Sequence, residues 1–127
     1  RGNTHAFVTA RVALEKFWKT GDFSDAVKAK GERLGQRLRE IAAHVPGATI
    51  KGRGMMQGID VGSGELAEAI CARCFELGLI IETSGAHDEV VKVLAPLTTP
   101  DALMDEGLDI LETAVRENVS SAKLAAE

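Results

Sequence analysis

The sequence contains no tyrosine, one tryptophan and four phenylalanines. That is too little aromatic material for the stacking platforms that hold single-stranded nucleic acids. It also lacks an excess of basic charge: 15 Lys and Arg against 19 Asp and Glu give a formal net charge of −4. The basic residues are scattered, so no footprint for a nucleic-acid backbone forms. No apolar run approaches the roughly 20 residues a membrane-spanning helix needs. The opening RGNTHAFVTA has no uninterrupted apolar core of the kind a secretory signal carries. Histidine is sparse, with His5, His44 and His87 far apart and neither H-x-x-x-H nor H-E-x-x-H present, so a metal hydrolase has no starting point. The nucleophile elbow G-x-S-x-G is missing too.

Only two cysteines occur, Cys71 and Cys74, spaced C-x-x-C within ELAEAICARCFELG. Such a pair can be redox-active or half of a zinc site, but no second pair or nearby histidine completes a metal set. Three residues apart on a helix, they read as small core residues. A reducing, cytoplasmic setting is the compartment expected.

What is present describes an ordinary globular domain. The chain of 127 residues, 45% hydrophobic and 27% charged, is long enough for one core. It has no initiating methionine and enters a helical pattern almost at once, so it reads as a piece of a longer chain.

Asn3 or Thr4 can cap a first helix, in which Ala6, Phe7, Ala10, Leu14 and Phe17 fall at helical spacing. A second helix is expected from about Asp22 to Pro46-Gly47, with Val27, Leu34, Leu38, Ile41 and Val45 in a narrow stripe. Gly31 and Gly35 weaken that helix, which predicts that another element approaches closely there. ATIKGRGMMQGIDV reads as two short strands around Gly52-Arg53-Gly54, with Met55, Gln57, Ile59 and Val61 on one face. A third helix over about Glu65–Leu77 ends at Gly78. LII and VVKVL are expected as strands flanking a polar loop, ETSGAHDE, in which Ser84 and His87 serve turn chemistry.

The last helix is expected after Thr98 or Thr99 as cap, with Leu103, Gly107, Leu108, Leu111 and Val115 on one face. The tail from 119 to 127 carries no strong signal and is expected to fray. The order α-α-β-β-α-β-β-α predicts an α+β, two-layer domain: a small, mostly antiparallel sheet with helices on one face.

Two features bear on chemistry. GRGMMQG contains G-x-G-x-x-x-G, but its glycines lead into a strand, so they cannot cradle phosphate at a helix start. Lys92 interrupts the apolar run EVVKVLAPL and shares a strand face with Val90 and Leu94. Its stem can simply pack on those neighbours while the ammonium reaches water. Alternatively it is a cation held at a pocket wall for an anionic ligand.

Four segments in order resemble the class III aminotransferases, pyridoxal-phosphate enzymes acting on ω-amino groups. RGNTHAFVTARVALEKFW resembles their G-N-x-x-A-x-x-A-A-x-x-x-L-E segment, and IKGRGMMQGIDV their R-G-x-G-L-M-x-G-I-E. CFELGLII is similar to their helix-to-strand turn, and VVKVLAPLTTPDAL to I-R-x-x-P-P-L-x-I-T-x-x-E-L, with Ala95 in place of the first proline. The resemblance runs from Arg1 to about Asn118. RGNTHAFVTA with LIIETSGAHDEVVKVLAPLT resembles the diaminobutyrate-forming branch of ectoine biosynthesis more than the ornithine, acetylornithine or 4-aminobutyrate branches.

The resemblance implies a C-terminal small domain of a fold-type I pyridoxal-phosphate enzyme. Residues 1–20 would be a helix connecting from a missing N-terminal large domain, 21–118 the small domain and 119–127 a tail. The implied whole is a cytoplasmic homodimer or higher homo-oligomer using amino-acid and 2-oxo-acid substrates. No lysine here matches the segment carrying the family's Schiff-base lysine, so the chain alone is expected to be inactive. The position of Lys92 matches a family arginine that pairs with a substrate carboxylate, though an ammonium is a point charge without arginine's fork. Gly2, Asn3 and Thr4 would lie near the cofactor phosphate of a neighbouring subunit. Arg53 receives no catalytic role. A stand-alone binding module is the reading from another class, separated from the first by what precedes Arg1.

Overall fold

The computed structural model describes the backbone of residues 2–124 and the side chains of residues 2–120. The elements follow the expected order: α1 (Thr4–Phe17), α2 (Asp22–Ala42), β1 (Thr49–Arg53), β2 (Met56–Asp60), α3 (Gly64–Glu76), β3 (Glu82–Ser84), β4 (Val90–Val93) and α4 (Asp101–Leu124). The four strands form one antiparallel sheet in the order β1-β2-β4-β3. Strand alternation sends its residues to two faces. Ile59 and Val91, paired across β2 and β4, are both fully buried. They join Leu34, Leu38 and Ile41 of α2, Ile70 and Cys74 of α3, and Leu111 and Val115 of α4 in one core. Helices α2, α3 and α4 therefore cover one face, and the fold is the two-layer α+β arrangement expected. The other face carries Met56, Gly58 and Lys92, and Met56 is exposed.

Gly31 explains its own presence. A Cβ there would lie 2.8 Å from the carbonyl carbon of Gly54, at the tip of the β1–β2 hairpin. At Gly35 it would meet the Gln57 side chain, also at 2.8 Å. Gln57 in turn donates to the carbonyls of Gly31 (2.8 Å) and Gly54 (2.6 Å), tying helix to hairpin with a buried amide. Hairpin geometry also disposes of the phosphate-loop idea, since Arg53 pairs with Met56 and the chain returns at once as strand.

Asn3 caps α1, its Oδ1 accepting from the amides of His5 (3.0 Å) and Ala6 (3.4 Å). Ser63 caps α3 by accepting from Leu66 N–H at 3.3 Å, which gives the GSGEL turn its function. At the far end of α3, Gly78 has φ +95°. Its amide donates to Phe75 and that of Leu79 to Cys74, a Schellman closure.

Five local expectations need correction. Leu79–Ile81 is not a strand: the Leu79 amide is spent on closing α3, so pairing begins only at Glu82, inside the segment expected to be loop. Helix α2 stops at Ala42, four residues before Pro46, although Val45 still reaches the core. At the start of α4 the Pro100 carbonyl accepts from Met104 N–H, and neither Thr98 nor Thr99 takes the cap position. Along α4, Leu103 is exposed and Met104 takes the core position, because a 100° step per residue moves Leu103 out of the Leu108–Leu111–Val115 stripe. The tail is helical through Leu124, with Val119 packed against the core; residues 125–127 lie outside the described residues.

Candidate functional site

One concave surface with polar groups at its edge lies where the β3–β4 end of the sheet meets α4. It is a cleft of about 520 Å³, walled by Ile81, Val93, Leu94, Pro96 and Leu108, with Glu82 and Lys92 supplying its charge. The walls follow from the sequence. Leu79 is turned back by the α3 closure, β4 runs alongside, and the Ala95–Pro100 connection folds over to start α4. Gly107 of α4 adds no side chain to the cleft it lines.

Lys92 sits centrally in β4, facing Gly58 on one neighbouring strand and Glu82 on the other. Its side chain is 27% exposed, and its Nζ donates to Glu82 Oε2 at 3.1 Å. The stem is largely covered, Lys92 is among the residues lining the cleft, and its ammonium grips a carboxylate of the same chain. Glu82 is far more open, at 75% exposure, so the pair is a rim contact that contributes little to stability. Sequence reasoning missed Glu82 because it assigned ETS to loop. The signal was available, since a three-residue strand with E-T-S opposite V-V-K brings opposite charges across a ladder.

Gly2, Asn3 and Thr4 stand elsewhere. They are exposed at the start of α1, and none of them lines the Lys92 cleft. Asn3 Oδ1 is engaged with the His5 and Ala6 amides. What remains for a phosphate is the Thr4 hydroxyl, the amides of Gly2 to Thr4 and the positive end of the helix dipole. That donor set suits an anion.

The cysteines behave as core residues. Cys74 is fully buried and Cys71 partly so. Burial, then the neighbouring Cys71, pushes the Cys74 thiol up to about 11. Burial, then Glu82, raises Cys71. Both shifts favour the protonated thiol, which weighs against the redox reading of C-x-x-C. Among the described residues no group of three or more His, Cys, Asp or Glu could hold a metal ion. No described helix is long and apolar enough to cross a membrane.

A second polar system lay hidden in the sequence. Bases of α2 pair with acids of α4 along the helix seam: Arg33 with Asp101 and Asp105, and Arg37 with Asp109 and Glu112. Hydrogen bonds from Arg37, then from His44 and Arg116, hold the Glu112 carboxyl down at about 2 against the opposing effect of burial. The spacing of three to four residues between charges on each helix was the available signal.

The class III aminotransferase family model matches residues 1–115. A diaminobutyrate–2-oxoglutarate transaminase of Nocardia farcinica is 50% identical over 115 residues, 91% of this chain and 26% of that protein. The enzyme of the same name from Halomonas elongata is 48% identical over 124 residues, 94% of this chain and 30% of that protein. Among solved structures, a PLP-bound aminotransferase mutant from Vibrio fluvialis superposes with a TM-score of 0.71 at 26% identity, over 86% of this chain and 26% of that one. The chain spans between a quarter and a third of the length of these curated relatives.

Proposed function

The chain belongs to the class III aminotransferases, and from that premise we propose that it serves as the C-terminal small domain of a pyridoxal-phosphate enzyme. The proposed reaction interconverts L-aspartate 4-semialdehyde plus L-glutamate with L-2,4-diaminobutyrate plus 2-oxoglutarate. The observation that carries this reading is the 48–50% identity, over nine-tenths of the chain, to proteins named for that donor and acceptor. Residues 1–20 connect to a large domain, 21–118 form the small domain and 119–127 its tail. The exposed apolar side chains of α1, among them Phe7, Val8 and Leu14, suit contact with that domain or with a second subunit of a homodimer. The physiological setting we assign is cytoplasmic ectoine biosynthesis under osmotic stress.

Within this domain, Lys92 anchors a substrate carboxylate. Its ammonium already holds a carboxylate oxygen at 3.1 Å, and the partner, Glu82, is exposed enough to leave at small cost. A substrate carboxylate replacing Glu82 would be oriented by one fixed charge against an apolar wall, which is how positioning lowers a barrier. Gly2, Asn3 and Thr4 lie near a neighbouring subunit's cofactor, where the free amides and the Thr4 hydroxyl meet its phosphate. When bound, pyridoxal phosphate supplies the electron sink for amino transfer, and the lysine it needs belongs to the large domain.

The full-length protein, assayed with 2-oxoglutarate and each of diaminobutyrate, ornithine and 4-aminobutyrate, is expected to prefer diaminobutyrate. Preference for either other donor would move the assignment to another ω-aminotransferase branch. Lys92→Ala should raise KM for 2-oxoglutarate with a smaller change in kcat. Unchanged kinetics would return Lys92 to a purely structural role. The 127-residue chain alone is expected to show no turnover.

A further inference from the structure

Lys30, on α2, makes contacts unlike those of its neighbours on the seam. Its side chain is only 16% exposed. Its Nζ donates to the main-chain carbonyls of Thr99 (2.5 Å) and Leu97 (3.4 Å), and lies 3.6 Å from Asp101 Oδ1. An ammonium has three N–H groups; two of them reach main-chain oxygens of the β4–α4 connection, some seventy residues along the chain, and the charge also faces the Asp101 carboxylate at the first residue of α4. Arg33 and Arg37 mainly engage flexible carboxylates. Lys30 instead grips the backbone of a turn, which the Thr99 amide closes onto the Pro96 carbonyl at 3.0 Å.

The gripped segment is a wall of the Lys92 cleft. Leu94, Ala95, Pro96 and Thr99 all line it, alongside Lys92 itself. Between the end of β4 and the start of α4 the chain has no ladder partner, so beyond the packing of Ala95 on the core its position rests on the turn, the Pro100–Met104 contact and Lys30. Two carbonyls and a carboxylate face the same Nζ, which suits the compact ammonium better than a planar guanidinium.

We propose that Lys30 is a positioning residue for the carboxylate site. Through the Leu97 and Thr99 carbonyls it fixes the wall against which a substrate held by Lys92 is aligned. This rests on the aminotransferase reading above, and two readouts keep the two claims apart. In the full-length protein, Lys30→Met keeps the stem and removes the ammonium. Peptides covering Leu94–Pro100 should then exchange amide deuterium faster. KM for 2-oxoglutarate should rise roughly three- to tenfold with kcat within about twofold, the split expected of a lost alignment.

Arg33→Ala is the control, because it breaks the pairs with Asp101 and Asp105 but spares the Lys30–carbonyl contacts. It should leave both readouts near wild type. Wild-type exchange in Lys30→Met, or an equal effect from Arg33→Ala, would overturn the assignment even if Lys92→Ala raised KM. Faster exchange with an unchanged KM would overturn it too, unless Lys92→Ala were also silent. In that case the carboxylate reading fails and Lys30 keeps only its hold on the turn. Should Lys30→Met yield too little folded protein, Lys30→Arg replaces it, with the same directions expected and smaller sizes.

Discussion

Helices α1 and α2 look alike in the sequence and differ in the structure. Each carries apolar residues at helical spacing and each begins with an appropriate signal. Yet α1 has no buried residue, while α2 buries Gly31, Leu34, Gly35, Leu38, Ile41 and Ala42. Between them only the aromatic junction of Phe17 and Trp18 with Phe23 makes ring contacts. The difference teaches what periodicity measures. A 3.6-residue repeat says that a face wants a partner; whether this chain supplies one is decided by complementary shape. For α2 that shape comes from two glycines, which let a hairpin tip come within contact of helix backbone.

The contrast is broken most forcefully by truncating the covered face. Leu38→Ala leaves a cavity at a fully buried site and should cost about 2–5 kcal/mol. Leu14→Ala on α1 should cost less than about 0.5 kcal/mol. Midpoints of urea unfolding measure both, and comparable losses would show that α1 is packed as firmly as α2.

A finer test asks what each glycine contributes. Gly31→Ala drives a Cβ into the Gly54 backbone and should cost about 1–3 kcal/mol despite the better helix propensity of alanine. Gly35→Ala meets the end of a side chain instead and should cost distinctly less, because Gln57 can turn at the expense of its bonds to Gly31 and Gly54. Equal costs would mean that the hairpin tip yields as readily as a side chain.

The smallest effect concerns the ionic edge of α2 and depends on pH. The Glu112 carboxyl is held at about 2, below its usual range, first by Arg37. Its contribution is therefore fully present above the ordinary carboxylate pKa of about 4.3 and fades as the pH falls toward 2. Glu112→Gln should lose about 1–2 kcal/mol near pH 7, and the gap to wild type should narrow in acid. A gap constant from pH 7 to pH 2 would remove Arg37–Glu112 as the cause.

Element order, the glycine-lined approach, the hairpin and the Asn3 cap were legible because each rests on a local rule with few alternatives. The errors share a cause. Leu79–Ile81 looks like a strand on hydrophobicity alone, but its first amide is already committed to ending α3, a fact of tertiary geometry. Leu103 has the right character for the core stripe and the wrong angle. Of the candidate site, Lys92 was legible as an anomaly, whereas Glu82 and Lys30 were not. Glu82 becomes readable only once E-T-S is set as a strand opposite V-V-K, and nothing near Lys30 in the sequence announces a partner some seventy residues away.

The Gly31–Gly54 contact carries a consequence for how this sequence can diverge. Apart from Lys30 and Arg33, which reach main-chain carbonyls, the polar side of α2 is free to change composition. The spacing is not free. One residue inserted between Gly31 and Gly35 would rotate one glycine about 100° away from the other, set a side chain against the hairpin and strand the Gln57 amide. Descendants of this chain can therefore vary widely in charge, yet gain or lose length only beyond that stretch, so alignments should break in the loops and run without gaps through the glycine pair.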